Sequence, residues 1–474
     1  MARHFRECCI LEVAVKMSVF NKFFVFFIAA IYLAILNVIY NPYSVWLSIF
    51  IICITYALLI FKIQKLTLLF PFFLYPFMFL LRDQDTANKL LTIIPDVGVL
   101  AAILIYLIRN KFKLTKKLHL IIMSIYAAVT FIIAMVHVGQ IHFFPIILRQ
   151  YLLPICFLVI FVDASYRSPK LPADAMKISV VSFAIVGILS LLNFFNIWII
   201  NGTIEELYPY LNYISDVQLI DNSKAIARSN EFLLLPRMNL FSGGSYGSSA
   251  ALLFTLGLLP FVATRIVFNW KYRFASFVLI VTSLMTFSVS IFISIAALLF
   301  IALMTNKYKI IIFLVLIVTI YSLLNISVFV GKSPLAYLND TSINGVIAYF
   351  EQLDFVSFMF GSGPSLHSVG YEFEPELFIT DVGIVRVFTE LGFASFFIFL
   401  LFLLLVFRRG LLALFNIYEE DGREYLLLFI VFILLIHGNI TAQPPFFPLF
   451  SACVAGILSR EVRKKSFRSE TGSI

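Results

Sequence analysis

From residue 22 almost to its end, the chain alternates between long apolar runs and short polar segments. The runs fall at 22–40, 44–61, 66–81, 90–108, 118–138, 146–163, 177–200, 248–264, 274–289, 290–304, 309–330, 383–407, 424–437 and 446–459. A helix needs about 20 apolar residues to cross the hydrocarbon core of a bilayer, so each run predicts a transmembrane helix. The shorter runs predict helices that are broken or tilted. Length alone leaves 274–304 ambiguous, since it fits one long helix or two short ones.

Charge resolves it. The segments "KIQK", "RNKFKLTKK", "NWKYR", "NKYK", "FRRG" and "RKKSFR" are strongly basic, and basic loops stay on the cytoplasmic side of a membrane. Two helices in 274–304 put all six on that side, together with most of the 35 Lys and Arg. One helix would set "NWKYR" and "NKYK" on opposite sides. The expected fold is an all-α polytopic integral membrane protein, one transmembrane domain over 1–474. It has about fourteen helices (between twelve and fourteen), with both termini cytoplasmic.

Composition agrees. Hydrophobic residues make up 61% of the 474 and charged residues 13%, with a mean hydropathy of +1.00. A soluble core of this size could not hide so much apolar surface. The 54 Phe and 21 Tyr suit lipid contact and interfacial anchoring. A net charge of +9 does not point to nucleic acid, because the basic residues sit in short loops between apolar runs. The opening "MARHFRECCILEVAVK" lacks the apolar core and small-residue cleavage site of a signal peptide. Residues 1–16 read as a leader, either cytoplasmic or upstream of a true start at Met17. Cys8 and Cys9 fall in that leader, and Cys53, Cys156 and Cys453 in apolar runs. Neither disulfides nor Cys-based metal sites are expected.

Two segments break the rhythm of short loops, 201–247 and 331–382, and both fall on the external face of the expected topology. They carry acidic, polar and aromatic stretches such as "NGTIEELYPYLNYISD" and "EFEPELFITD". Loops this long in a compact protein are usually functional or disordered. They read as partly helical lids over a site at the outer surface.

The first long loop ends in "LPRMNLFSGGSYGSS", where Arg237 precedes a Gly/Ser-rich turn and an outward-facing helix N-terminus near Ser248. Such a terminus exposes N–H groups and carries about half a positive charge, which favours an anion. Gly243, Gly244 and Ser245 let the backbone approach a ligand, and the serine hydroxyls can cap the helix or donate to oxygens. Arg237 and Arg228 add forked donors matched to phosphate. The plainer alternative is a capped turn with an arginine anchored at the headgroups.

The second loop repeats the plan. "FGSGPSLHS" is a Gly/Ser turn, and "FITDVGIVRVFTELGF" then enters a helix that Asp381 or Thr380 can cap. Arg386 and Glu390 lie four apart on one face of it, and either pair with each other or face a ligand. Charges this deep tend to line polar cavities, since each costs about 2.5–3.5 kcal/mol near mid-bilayer. Arg149 opens another run at the outer face, as an anion contact or a headgroup anchor. His367, in the second loop, can act as a base near neutral pH, or is plain surface. Asp96, beside Pro95, is a proton-relay carboxylate or a structural hydrogen-bond partner. The chain has no Walker A and no HExxH, and metals and cofactors are not expected. Surplus arginines near helix N-termini, with polar and aromatic lids, fit a lipid-linked phosphate or diphosphate bearing a sugar.

At these residues the chain resembles the O-antigen polymerase (Wzy) and O-antigen ligase superfamily of bacterial envelope proteins. The likeness lies in the plan, many helices with two external loops in the second half, and in local patterns. Those are "RQYLLPICFLVIF", "PRMNLFSGGSYGSSAALL", "FGSGP", "TDVGIVRVFTELGF" and "LLIHGNITAQPPFFPLFSACVAGIL". The resemblance implies metal-independent glycosyl transfer at the periplasmic face of the inner membrane. A growing glycan leaves undecaprenyl diphosphate for a sugar hydroxyl of the next lipid-linked repeat. It implies that Arg237 and Arg386 clamp the diphosphate, supported by Arg228 and Arg149, and that His367, Glu390 or Asp381 is the base. A separate chain-length regulator is the expected protein partner. One departure is that nine residues separate Arg237 from Gly247, where the polymerases' loop motif has ten.

Two loops of similar size and the "TDVG" segment favour a polymerase over a ligase. A flippase or transporter of lipid-linked sugars is the alternative from another class. It would show similar halves and polar residues at mid-membrane, whereas here the polar residues gather at one face.

Overall fold

A computed structural model describes residues 64–77, 86–136 (apart from 112 and 116), 151–194, 246–286 (apart from 264 and 265), 291–305, five positions between 311 and 318, 354–361, 383–415, 422–434 and 446–459. Every element among them is helical. In chain order they are α1 (Gln64–Leu74), a 3₁₀ turn (Tyr75–Phe77), α2 (Thr86–Arg109), α3 (Leu118–Val136), α4 (Leu153–Arg167), α5 (Leu171–Phe194) and α6 (Tyr246–Val262). Then come α7 (Trp270–Met285), α8 (Ile291–Thr305), α9 (Phe355–Phe360), α10 (Gly383–Phe415), α11 (Arg423–Leu434) and α12 (Phe446–Leu458).

Apolar runs without a polar face must be buried in protein or exposed to something apolar, and the bundle does both. Helix α12 is buried along its whole length and is surrounded by α4, α5, α10 and α11. Its aromatic rings lock into its neighbours: Phe447 meets Tyr75 and Phe157 edge-on at 4.9 and 5.7 Å, and Phe446 stacks on Phe183 at 5.8 Å. Small residues set the closest approaches. A Cβ on Gly456 would lie 2.3 Å from the Tyr425 ring, and one on Gly257 would lie 2.6 Å from Ile280 of α7. This is how apolar helices associate without a hydrophobic gradient between them. Several hydroxyls inside the bundle are satisfied locally, Ser165, Ser179, Ser190, Thr255 and Ser451 each donating to the carbonyl four residues back. Thr255 also donates to Ser294 at 2.8 Å, which donates to the Ala251 carbonyl, tying α6 to α8.

The outer helices show apolar faces to their surroundings. Val97, Leu100, Leu104 and Ile108 form such a stripe on α2, and Phe393, Phe397, Leu401 and Leu404 form one on α10. Among the described residues, two helical stretches, Leu171–Ile188 and Val387–Leu414, are long and apolar enough to cross a membrane, and four shorter apolar helices accompany them.

The run 274–304 is divided between α7 and α8, the two-helix reading that charge favoured. Helix α1 stops at Leu74, short of residue 81, because a residue before proline is pushed out of the α conformation and Pro76 follows Tyr75. Helix α10 carries on through "FRRG", which the hydropathy pattern left as a loop. Arg and Leu are good helix formers, and Gly410 packs where a Cβ would lie 2.7 Å from Leu426. The runs 22–40 and 44–61, the loop 201–247 up to residue 245, and all of 331–382 except Asp354–Gly361 lie outside the described residues.

Candidate functional site

Polar chemistry gathers at two opposite ends of the bundle. At one end, α10 enters with Arg386 and Glu390 on its early turns. Glu390 is completely buried, as are its neighbours Thr389 and Ser395. It lies close enough to Tyr126 of α3 to interact electrostatically, and Tyr126 stacks on Phe399 at 5.4 Å.

Two residues beyond Glu390 the helix breaks, with Gly392 at φ 75°, ψ 176°. The cause is α9, which crosses α10 at this point. Asp354 caps α9, its carboxylate accepting from the Ser357 amide at 2.6 Å. The Ser357 hydroxyl and amide hold this exposed carboxyl below its ordinary range. Gly361 closes α9 at φ 76° and lies directly on the Glu390–Leu391 peptide, where a Cβ would come within 2.4 Å of the Glu390 carbonyl. A Cβ on Gly392 would lie 2.3 Å from the Met359 carbonyl and 2.5 Å from the Gly361 nitrogen. Both positions therefore need glycine twice over, for the left-handed φ and for backbone-to-backbone contact. Gly361, the second residue of "FGSGP", thus lies against the backbone of the buried glutamate.

Of the candidate residues, Glu390 is the one whose side chain is described. Arg386 and Ser248 sit in the first turns of α10 and α6. Arg149, Arg228, Arg237, Gly243, Gly244, Ser245, His367 and Asp381 lie outside the described residues. Asp96 accepts a 2.6 Å hydrogen bond from Tyr75, the structural alternative given for it.

The other end holds a cluster that the sequence reading missed. Asp163, fully buried near the end of α4, accepts from the Tyr106 hydroxyl at 2.6 Å and from the Thr115 amide at 2.7 Å, and also from the Thr115 hydroxyl. Arg167, one turn on, lies 3.2 Å from Asp163, donates to the Lys113 carbonyl at 2.8 Å and also bonds Asn110. Its guanidinium lies over the Tyr106 ring. Beside it, buried His119 pairs with the Tyr166 hydroxyl at 2.5 Å and meets Arg409 of α10 at 3.4 Å. Lys177 of α5 lies over Tyr272 of α7. The basic segments around 109–117, 271–273 and 408–409 therefore occupy one end of the molecule, opposite Glu390. One signal was present in the sequence: Asp163 and Arg167 are four apart in the favourable acid-before-base order.

Among the described residues, no group of three or more His, Cys, Asp or Glu comes together as a metal-binding set. In comparison with known proteins, no protein family and no curated relative matches this chain.

Proposed function

We propose that this chain is a polysaccharide polymerase of the bacterial inner membrane, of the O-antigen polymerase type. It transfers a growing glycan from undecaprenyl diphosphate to the next lipid-linked repeat at the periplasmic face. The observation that carries this reading is the buried Glu390, held where the second long loop packs on α10 through Gly361 and Gly392. A carboxylate in that position can take the proton of an acceptor sugar hydroxyl entering under the loop. The freed oxygen attacks the anomeric carbon, and undecaprenyl diphosphate departs with the bonding electrons. Arg237 and Arg386, supported by Arg228 and Arg149, stabilise the charge of that leaving group. His367 and Asp381, on the same loop side, are the other candidates for the base.

Two further observations support the membrane setting. Exposed apolar stripes on α2 and α10 suit hydrocarbon, and the basic turns meet at a single end, as the positive-inside rule requires. On that orientation the Asp163 cluster is cytoplasmic and Glu390 periplasmic, in a protein of about fourteen spans.

The test is a gel of envelope polysaccharide from a deletion strain, complemented with the chain or with Arg237→Ala and Arg386→Ala. A core bearing one repeat and no ladder is the expected outcome, with neither variant restoring the ladder. Bare core with polymer stranded on its lipid carrier would identify a ligase. An unchanged ladder would exclude both and turn attention to a lipid-linked sugar transporter.

A further inference from the structure

The short helix α9 turns one face inward and leaves the other uncovered by the described residues. Phe358 faces α10, stacking on Phe393 at 5.2 Å and meeting Phe388 edge-on at 5.8 Å. Phe355, Val356 and Phe360 face outward, with Phe355 78% and Val356 58% exposed. These apolar side chains continue the exposed stripe of α10, since Phe393 at its head is the residue on which Phe358 stacks, and Phe397 stacks on Phe393 in turn.

Depth says what covers them. Exposed Arg408 marks the basic end of the α10 stripe and belongs at the cytoplasmic boundary of the hydrocarbon. Fifteen positions separate Phe393 from Arg408, a rise of roughly 22 Å along a helix. The hydrocarbon core is about 30 Å thick, which leaves roughly 8 Å between Phe393 and the opposite boundary. An element packed on Phe393 sits within that margin, the depth at which amphipathic helices lie in a membrane surface. The polar end of α9 agrees with this placement: Asp354 at its N-terminus is exposed, as a group at the headgroup level would be.

We propose that α9 is a membrane-surface anchor, its Phe355, Val356 and Phe360 inserted among lipid acyl chains just beneath the outer headgroups. It thereby fixes the second long loop at the bilayer surface. The proposal rests on the membrane reading above but not on the glycosyl-transfer chemistry. The Gly361–Gly392 crossing fastens the anchor to α10, so loop, lipid surface and Glu390 keep one geometry.

The experiment reconstitutes the full chain in phosphatidylcholine vesicles, with Phe355→Trp or Leu404→Trp added to the native tryptophans. Quenching of the added emission is compared for lipids brominated near the headgroup, lipids brominated near the chain ends, and aqueous acrylamide. The expected result is strong quenching of Phe355→Trp by the headgroup-proximal bromines and weak quenching by acrylamide. Leu404→Trp should respond more to the deeper bromines. Acrylamide quenching of Phe355→Trp without bromolipid quenching means water covers α9 and overturns the proposal. Quenching by neither means protein covers it, and overturns it equally. If Leu404→Trp also escapes every bromolipid, the membrane reading itself fails, which separates the two errors.

Discussion

The two ends of the bundle treat a buried carboxylate in opposite ways. Asp163 is surrounded by the Tyr106 hydroxyl from α2, the amide and hydroxyl of Thr115 from the turn that follows α2, and the Arg167 guanidinium from its own helix. Every polar group there serves the fold, pinning the 110–117 turn to the end of α4. Glu390 is equally buried, yet it sits beside a broken helix turn and beneath Gly361 at the end of α9. On the proposed function, the first arrangement closes a structure and the second serves the chemistry. Burial alone therefore does not mark a functional carboxylate. What distinguishes the two is whether the surrounding backbone is regular and short or strained and long.

The largest effect that would break this contrast is at Glu390. Glu390→Gln keeps shape and hydrogen bonding but cannot accept the proton, and should lower polymer formation by about 10²-fold or more, in line with loss of a general base. Ladder length in the complemented deletion strain checks it, with membrane abundance of the variant held equal. A full ladder from Glu390→Gln would make Glu390 structural and move the base to His367 or Asp381.

Next is the crossing that shapes the Glu390 end. Gly392→Val forces a left-handed φ on a β-branched residue and drives side-chain atoms into the Met359 carbonyl. Conformation costs roughly 1–2 kcal/mol and overpacking roughly 1–3 kcal/mol, so the thermal midpoint in detergent should drop by several degrees and the ladder should be lost. Gly361→Val should do the same.

Asp163→Ala sharpens the contrast from the other side. It strands the Tyr106 hydroxyl and the Thr115 amide, at about 1–3 kcal/mol for a buried polar group left without its partner. The Arg167 side chain is 45% exposed, so loss of that ion pair adds little. The midpoint should fall while the ladder, at permissive temperature, stays intact. Loss of polymerisation without loss of stability would show that this end takes part in function.

The smallest effect is at Asp354. Its folded pKa lies below the unfolded value, so its capping contribution is complete above the unfolded pKa and disappears as pH falls through the folded one. Protection of α9 amides from hydrogen exchange should weaken on acidification in the native chain. Asp354→Asn, which still caps but does not titrate, should lose that pH dependence.

What could be read from the sequence follows the range of the forces involved. Helices such as α3, α8 and α12 were visible because a uniformly apolar run depends only on its own residues. The division of 274–304 was visible because charge in flanking loops carries orientation. Glu390 stood out as an acid in an apolar stretch. The Gly392 break was not visible, since a glycine in an apolar helix is commonly tolerated and only a distant segment, Met359–Gly361, makes it necessary. The Asp163 cluster joins residues from 106 to 167, and the neighbouring His119 meets residue 409, so no local pattern could assemble either. The continuation of α10 past Arg408 was missed because hydropathy marks where a membrane ends and not where a helix does.

The glycine crossing also bears on biogenesis. On the proposed topology, α9 leaves the ribosome and crosses the membrane before α10 is synthesised, so it waits outside with no surface to pack on. Its docking must follow insertion of α10, because the Glu390–Leu391 peptide it covers does not yet exist when α9 emerges. Assembly of the Glu390 end is thereby a late event, completed from the outside. The Asp163 end, built mainly from residues 106 to 167, can close while the second half of the chain is still being made.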